Sequence, residues 1–224
     1  MSQRLLFPDS DAAADALTFA GRTAALGDGG VRLQAAAGTL VMTSAPLAPR
    51  GLFDTTPTVL AMRALPVDPE LVCDVVVDAT QLARAVDDPR AVELPDVGLS
   101  PSWAGIAPPR AGWESVGSVP AAGLAARAQF GIASVAESMP ADPGEDVVRA
   151  VRATVWGAPD DALRGLPLGA AFAAFALGFI VGEEEARVLA SGPWTRITLE
   201  RGHVIVRGPA RTGLTPVRET RSGR

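Results

Sequence analysis

The stretch Leu163–Val181, with the sequence LRGLPLGAAFAAFALGFIV, limits what this chain can fold into more than any other feature. Between Gly165 and Val181 no side chain carries a charge or a hydrogen-bonding group. A helix that starts at Leu168 would be about 21 Å long, well short of the roughly 30 Å hydrocarbon layer of a membrane. We therefore expect Leu168–Val181 to form a buried core helix, with Phe175 among its core residues.

The composition is that of a soluble globular protein with a mildly acidic surface. Of the 224 residues, 48% are hydrophobic and 20% are charged, and the formal net charge is −5. Strong binding to nucleic acid or to an anionic membrane normally requires a basic surface, so neither partner is expected. The N-terminus has too short an apolar core for a signal peptide, which makes a cytoplasmic location the default expectation.

The order of apolar and turn-forming segments predicts an α+β fold. Residues 1–97 show strand patterns and two helices, and indicate a mostly antiparallel sheet. Residues 98–120 are rich in Pro, Gly and Ser, which favours a linker or crossover. Residues 121–208 predict a helical part that is built on the apolar helix and ends in a β-hairpin. Residues 209–224 predict a flexible Arg-rich tail.

The two helices of residues 1–97 each have a capping signal. Asp9 precedes a helix expected to reach about Leu26, and Asp78 precedes a short helix expected to reach Val86. An aspartate side chain at these positions accepts hydrogen bonds from the first free N–H groups of a helix.

No motif in the sequence specifies a reaction. The chain has no G-x-S-x-G nucleophile elbow, no Walker A loop and no G-x-G-x-x-G fingerprint. His203 is the only histidine, and its place beside Arg201-Gly202 predicts an exposed hairpin turn. Since Cys73 is the only cysteine, a closed zinc site within one chain is not expected. No metal or organic cofactor is therefore predicted.

Carboxylates keep an enzymatic alternative open. Asp74 and Asp78 flank a strand pattern, and Glu183–Glu185 follow the apolar helix. Two carboxylates brought together in a pocket could act as general acid and base on a small substrate. The simpler interpretations are a helix cap at Asp78 and a solvated loop at Glu183–Glu185.

Two sets of residues are candidates for binding. Trp103 and Trp113, with Arg110 between them, have the residue types that anchor protein partners, although the simpler interpretation is that they hold the crossover against their own protein. The helices and hairpin of residues 146–207 could alternatively form a winged helix. The candidate phosphate contacts there are Arg196, Arg201 and Arg207. The helix before that wing has no side chain that can read bases, so nucleic-acid binding is the weaker interpretation.

Two resemblances extend this picture. The segments VRLQAAAGTLVMTSAPL and DVVVDATQLARAV, after a helix, resemble a half-domain of a DNA sliding clamp. DNA encirclement is not implied, because Asp9, Asp11 and Asp15 make the first helix acidic where clamp helices are basic. The segments RGLFDTTPTVLAMRAL, PSWAGIAPPRAGWESVG and GPWTRITLERGHVIVRG resemble conserved hypothetical proteins of GC-rich actinobacteria, which implies no activity.

The leading hypothesis from the sequence is a non-enzymatic cytoplasmic protein that binds a macromolecule. Its expected partner is another protein or a second copy of itself. The alternatives are a small-molecule enzyme that uses carboxylates and a winged-helix-like nucleic-acid binder. A deep pocket lined by acids would favour the enzyme, and an apolar patch around Trp103 and Trp113 would favour the binding protein.

Overall fold

A computed structural model describes residues 4–26, 29–51 and 53–208, and the predicted tail at residues 209–224 lies outside these ranges. The predicted α+β class is confirmed, with a large antiparallel sheet and helices on one of its faces. The helices are α1 (Ser10–Ala24), α2 (Ala121–Ser138), α3 (Glu145–Gly157) and α4 (Leu168–Ala176). The strands are β1 (Arg4–Leu6), β2 (Gly30–Ala36), β3 (Thr39–Leu47), β4 (Thr58–Pro66), β5 (Cys73–Asp78), β6 (Ala83–Arg84), β7 (Ala91–Glu93), β8 (Glu114–Pro120), β9 (Pro159–Asp160), β10 (Leu166–Pro167), β11 (Glu185–Ser191), β12 (Trp194–Leu199) and β13 (Gly202–Arg207).

Eight of these strands form one continuous sheet in the order β5-β2-β3-β4-β13-β12-β11-β8. The two parts of the chain meet at the antiparallel pair of β4 with β13, where His203 lies opposite Met62 and Ile205 opposite Leu60. The final β-hairpin is therefore inside the sheet. It is flanked by strands on both sides, so the main-chain groups on both of its outer edges face neighbouring strands.

The main core lies between the sheet and the helices. Alternate residues of the central strands point to this side, among them Leu33, Met42, Ile197 and Val204, and each is fully buried. This alternation follows from the two-residue period of a strand. The opposite face of the sheet carries none of the helices α1 to α4 and packs against the smaller apolar cluster around Trp103, which lies in a 3₁₀ turn at Ser102–Gly105.

The apolar helix is buried as expected but is shorter than its sequence pattern suggests. α4 ends at Ala176 because Gly178 adopts a positive φ of 70°, and the Phe179 N–H then bonds the Ala174 carbonyl at 2.9 Å. A glycine in this conformation is a common helix stop. Phe175 is 40% exposed, so the expectation that it is a core residue is wrong, whereas Phe179 is fully buried beyond the helix end.

The capping predictions hold at the first residues of both expected helices. The Asp9 carboxylate accepts the N–H groups of Asp11 and Ala12 at 3.0 and 2.8 Å. Asp78 accepts the Thr80 N–H at 2.8 Å, but it caps only one 3₁₀ turn, and the expected helix to Val86 is absent from this segment. Within the described ranges, none of the helices has the length and apolar character needed to cross a membrane.

Candidate functional site

The face of the sheet opposite α1 to α4, which we call the open face, presents a row of mostly polar side chains. Neighbouring strands pair so that the members of this row lie directly opposite one another across the junction of β4 with β13. From β2 to β12 the row consists of Arg32, Thr43, Met62, His203 and Thr198. Arg196 lies on the same face, two residues before Thr198 on β12.

Residues 98–113, the crossover segment, cover part of the open face before β8 begins. Trp103 is only 5% exposed and packs with Leu60 and Ile205 of the sheet. The Arg32 guanidinium donates to the Ala104 carbonyl at 2.7 Å, which ties the segment to β2. Trp103 therefore fits the alternative in which the tryptophans hold the crossover against their own protein.

Trp113, at the other end of the crossover segment, holds a cation in place. Its indole N–H donates to the Pro109 carbonyl at 2.9 Å, so the ring orientation is fixed by the crossover itself. The Arg196 guanidinium lies over that ring, 4.7 Å from its centroid. This distance is within the range of a cation–π contact. Trp113 is half-buried, and Arg110 is exposed beside it.

A cavity of about 730 Å³ lies between the crossover segment and the open face. Its apolar lining comes from both sides, with Leu60 and Met62 on the sheet and Ile106, Pro108 and Pro109 on the crossover segment. Its lining also includes four residues that the sequence indicates for two separate binding hypotheses. These four residues are Trp103, Arg110, Trp113 and Arg196.

The cavity is positively charged although the whole chain is acidic. Its lining contains the three arginines Arg32, Arg110 and Arg196 against one acid, Asp74, an excess of two positive charges. Asp74 accepts two bonds from Arg32, at 2.8 Å each, and one from Gln34 at 3.1 Å. The Arg32 hydrogen bonds lower the pKa of Asp74. This aspartate therefore compensates the charge of Arg32. Arg110 and Arg196 have no second acidic side chain in the cavity lining to compensate theirs.

Arg196 and His203 are the least compensated basic groups of this site. Burial, and then the charge of Arg187, lower the pKa of Arg196. Burial also lowers the pKa of His203 below its ordinary value of 6.5, with further contributions from Arg196 and Arg187. The sequence-based expectation that His203 is an exposed turn residue is wrong, because it lies within β13 and faces the cavity.

Three buried polar atoms in this small region have no hydrogen-bond partner. They are Nε of Arg196, Oγ1 of Thr198 and Nδ1 of His203. Thr198 and His203 lie directly opposite each other, and Arg196 is on the same face of the same hairpin. A buried polar group without a partner costs roughly 1–3 kcal/mol. The cluster therefore indicates a place where an additional polar group would be stabilising.

The other two candidate phosphate contacts lie elsewhere. Arg201 is in the turn between β12 and β13, close to Asp9, Asp11 and Asp15. Arg207 lies over the Trp194 ring, 5.6 Å from its centroid. The winged-helix interpretation is wrong as a fold, because the two strands of its wing are interior strands of the eight-stranded sheet.

The arginines of the four α-helices are all engaged within the protein. Arg22 donates to the Leu177 carbonyl at 2.8 Å, and Arg152 to the Leu26 carbonyl at 2.9 Å. Arg127 pairs with Asp160, and Arg149 with Asp146. Since exposed Asp11 adds a negative charge to α1, the helical face described here offers little to a phosphate backbone.

The carboxylates considered for catalysis do not meet in the cavity. Asp78 is occupied as a cap, and Glu184 accepts the Glu200 N–H at 2.8 Å. Asp74 alone lines the cavity, so the pair that acid–base chemistry requires is not present there. Across the described ranges, no group of three or more His, Cys, Asp or Glu side chains is placed to hold a metal ion.

A second groove, of about 810 Å³, lies between residues 45–56 and α3. The helix arginines that line it, Arg149 and Arg152, are the ones already bonded to Asp146 and to the Leu26 carbonyl. Arg196 and His203, which each have an unpartnered buried polar atom, line the cavity under the crossover segment, whereas the residues described as lining this groove have no such atom. We therefore take the cavity as the candidate site.

Two family models, both of unknown function, match successive parts of the chain. Residues 1–105 match the family described as "Domain of unknown function (DUF8010)", and residues 108–211 match "Domain of unknown function (DUF8185)". No curated protein is detectably similar to the chain in sequence.

Solved structures of bacterial DNA sliding clamps are similar in fold. DNA polymerase III subunit beta from Borrelia burgdorferi, solved with a natural product, superposes with a TM-score of 0.50 at 7% identity, over 96% of this chain and 66% of that chain. The Caulobacter crescentus sliding clamp gives 0.48 at 12% identity, over 96% and 67%. The Bartonella birtlesii clamp, bound to griselimycin, gives 0.49 at 11% identity, over 96% and 67%. This chain thus spans about two thirds of the Borrelia burgdorferi chain, and the similarity to it, which is one of fold, extends beyond the first hundred residues.

Proposed function

We propose that this protein is a non-enzymatic binding module that takes a segment of a partner protein into the cavity under the crossover segment. The observation that carries the proposal is the lining of that cavity. Apolar side chains come from both walls, while Arg196 and His203 offer unpaired polar atoms between them. Protein-recognition surfaces commonly have an apolar centre in which aromatic residues and arginine are enriched and supply much of the binding energy.

The apolar part of the site suits side chains of a bound segment. Met62 and Ile106 are half-buried and pack around the cluster that contains Trp103. Covering them further would remove apolar surface from water, which contributes about 25 cal/mol per Å². Trp113 has an exposed part of its ring and a fixed orientation, so little conformational entropy is lost when it contacts a partner.

A separate partner protein is favoured over self-association through sheet edges. At the β8 edge, Arg164 donates to the Val116 carbonyl at 2.7 Å. At the β5 edge, the Leu99 N–H bonds the Val76 carbonyl at 2.7 Å. Each contact occupies a main-chain group that an added strand would need, which is a common protection of sheet edges.

We expect peptides selected from a random displayed library to bind the wild-type protein through this cavity. The variant Ala36→Trp places a large ring at the exposed rim of the cavity lining and should reduce peptide affinity about tenfold or more. Ala133→Trp, at an exposed position of α2 on the helical side, is the matched control and should leave the affinity unchanged. Fluorescence anisotropy of labelled peptides measures both variants.

Two results would contradict this proposal. One is a library selection in which the wild type enriches no peptide above a blank surface. The other is a set of enriched peptides whose affinity falls as much with Ala133→Trp as with Ala36→Trp. In that second case the peptides bind outside the cavity.

A further inference from the structure

We infer that the cavity is a binding site for a compact oxyanion, a carboxylate or phosphoryl group that Arg196 and His203 hold. That this oxyanion is carried by a protein segment rests on the proposed function. The recognition of the group itself follows from the cavity alone. No other side chain of the site supplies the negative charge that these two residues lack.

The position of Arg196 suits it to bind an oxyanion. The Trp113 ring fixes its guanidinium from one side, and in the described part of the chain it forms neither an ion pair nor a hydrogen bond. A guanidinium can donate two parallel hydrogen bonds to one carboxylate or phosphate. Because its place is already set, binding an oxyanion would order few additional degrees of freedom.

His203 supplies a further polar atom beside Arg196. Its Nδ1 is buried and unpartnered, and the residue lines the cavity on the same face of the β12–β13 hairpin as Arg196. An oxyanion could accept a hydrogen bond from an imidazole N–H. One ligand group in this place would therefore bond both residues of the cavity lining that have orphaned atoms.

The net charge around His203 favours an anion. Arg196 and Arg187 lie near it on β12 and β11, and Arg110 is on the crossover segment above. On the β2 and β5 side lie Arg32 and Asp74, which compensate each other, and Met62 on β4 is uncharged. In a chain of net charge −5, this local excess of positive charge selects an acidic group by electrostatic complementarity.

The binding should become stronger as the pH falls. In the free protein burial holds the pKa of His203 below 6.5, so the imidazole is neutral near pH 7. In the unfolded chain the imidazole gains a proton at about pH 6.5. Acidification from pH 6.5 toward the lower pKa of the folded protein therefore lowers the stability of the free protein. A bound oxyanion favours the imidazolium and raises the His203 pKa, so oxyanion affinity and proton uptake increase together.

The test uses sulfate, which keeps its charge across the pH range, and glutarate as a carboxylate probe. Because His203 is the only histidine of the chain, its ring gives a single set of NMR signals in tag-free protein. At constant ionic strength set with chloride, we expect saturable shifts of these signals and a rise of the His203 pKa with either probe. A stronger response to sulfate indicates a phosphoryl group in the natural ligand, and a stronger response to glutarate indicates a carboxylate.

Variants separate site binding from general charge effects. Arg196→Gln should weaken the sulfate affinity about tenfold or more, because a charge-assisted interaction is lost. Arg196→Lys keeps the charge but loses the paired donors. Its sulfate affinity should therefore lie between that of the wild type and that of Arg196→Gln. Arg207→Gln, on the same face but stacked on Trp194 outside the cavity, is the matched control and should leave the affinity unchanged. The thermal unfolding of each variant shows that it is folded.

The inference is overturned if neither probe changes the His203 pKa, or if Arg207→Gln weakens binding as much as Arg196→Gln does. Its failure is distinct from that of the proposed function. Peptides that bind in the cavity without any acidic or phosphorylated residue would overturn the oxyanion site alone. Saturable sulfate binding without any enriched peptide would overturn the protein-segment proposal alone.

Discussion

Phe179→Ala is expected to lower the free energy of unfolding by about 3–5 kcal/mol, the range for truncating a buried aromatic side chain. Phe179 is fully buried and stacks on Phe19 of α1, with ring centroids 6.2 Å apart. It also lies against Gly202, where a Cβ would come within 2.6 Å of its ring. The ring therefore joins the first part of the chain to the second, beneath the junction of β4 with β13.

The matched control is Phe175→Ala. Phe175 is 40% exposed although it comes from the same apolar stretch, so its loss should cost less than about 1 kcal/mol. Urea unfolding monitored by circular dichroism measures both variants. Equal destabilisation by the two substitutions would contradict the position of the helix end at Gly178. Two separate unfolding transitions for the wild type would contradict a continuous core.

Gly131→Ala is expected to destabilise the protein by about 1–3 kcal/mol, although alanine is the better helix former. Gly131 is buried in α2, and a Cβ there would clash with the Trp156 ring. That ring cannot move away freely, because it is 4% exposed and stacks on Phe172 with centroids 4.2 Å apart. The absence of a side chain at Gly131 thus permits the packing of α2 against α3.

Gly123→Ala, in the same helix, should have the opposite sign. A Cβ at Gly123 would meet its nearest atoms at 3.9–4.0 Å, an ordinary contact distance. The substitution should stabilise the protein by about 0.4–1 kcal/mol, because it restricts the unfolded chain. Thermal unfolding measures the change in stability of the two variants. Stabilisation by both would show that Trp156 does not pack closely against Gly131.

Local sequence patterns predicted the elements of the fold better than their association. The buried character of Leu168–Ala176 follows from its composition, and the Asp9 cap from its residue type. The end of α4 was misplaced because an apolar run does not show where one of its glycines takes a positive φ. The pair of β4 with β13 joins residues about 140 positions apart, and such pairing leaves no periodic signal in the sequence.

The candidate site was predicted in its parts and not as a whole. Trp103, Trp113 and Arg196 were chosen by residue type for different partners, and the fold brings them to one cavity. His203 was misassigned, since an Arg-Gly-His sequence is typical of a turn and the strand in fact starts at Gly202. The contribution of Arg32 was missed, although the alternation of polar and apolar residues in β2 places it on the open face.

The most direct measurement for the cavity as the binding site is the NMR signal of the His203 ring, the only histidine of the chain, recorded as a selected peptide is added to tag-free protein. This half-buried imidazole lies on the open face and lines the cavity, so a segment bound there changes its surroundings. We expect the His203 signals of the wild type to shift and saturate, and the same titration to give a lower peptide affinity for Arg196→Gln. His203 signals that stay unchanged at a peptide concentration that saturates the wild type by fluorescence anisotropy would contradict the proposed site.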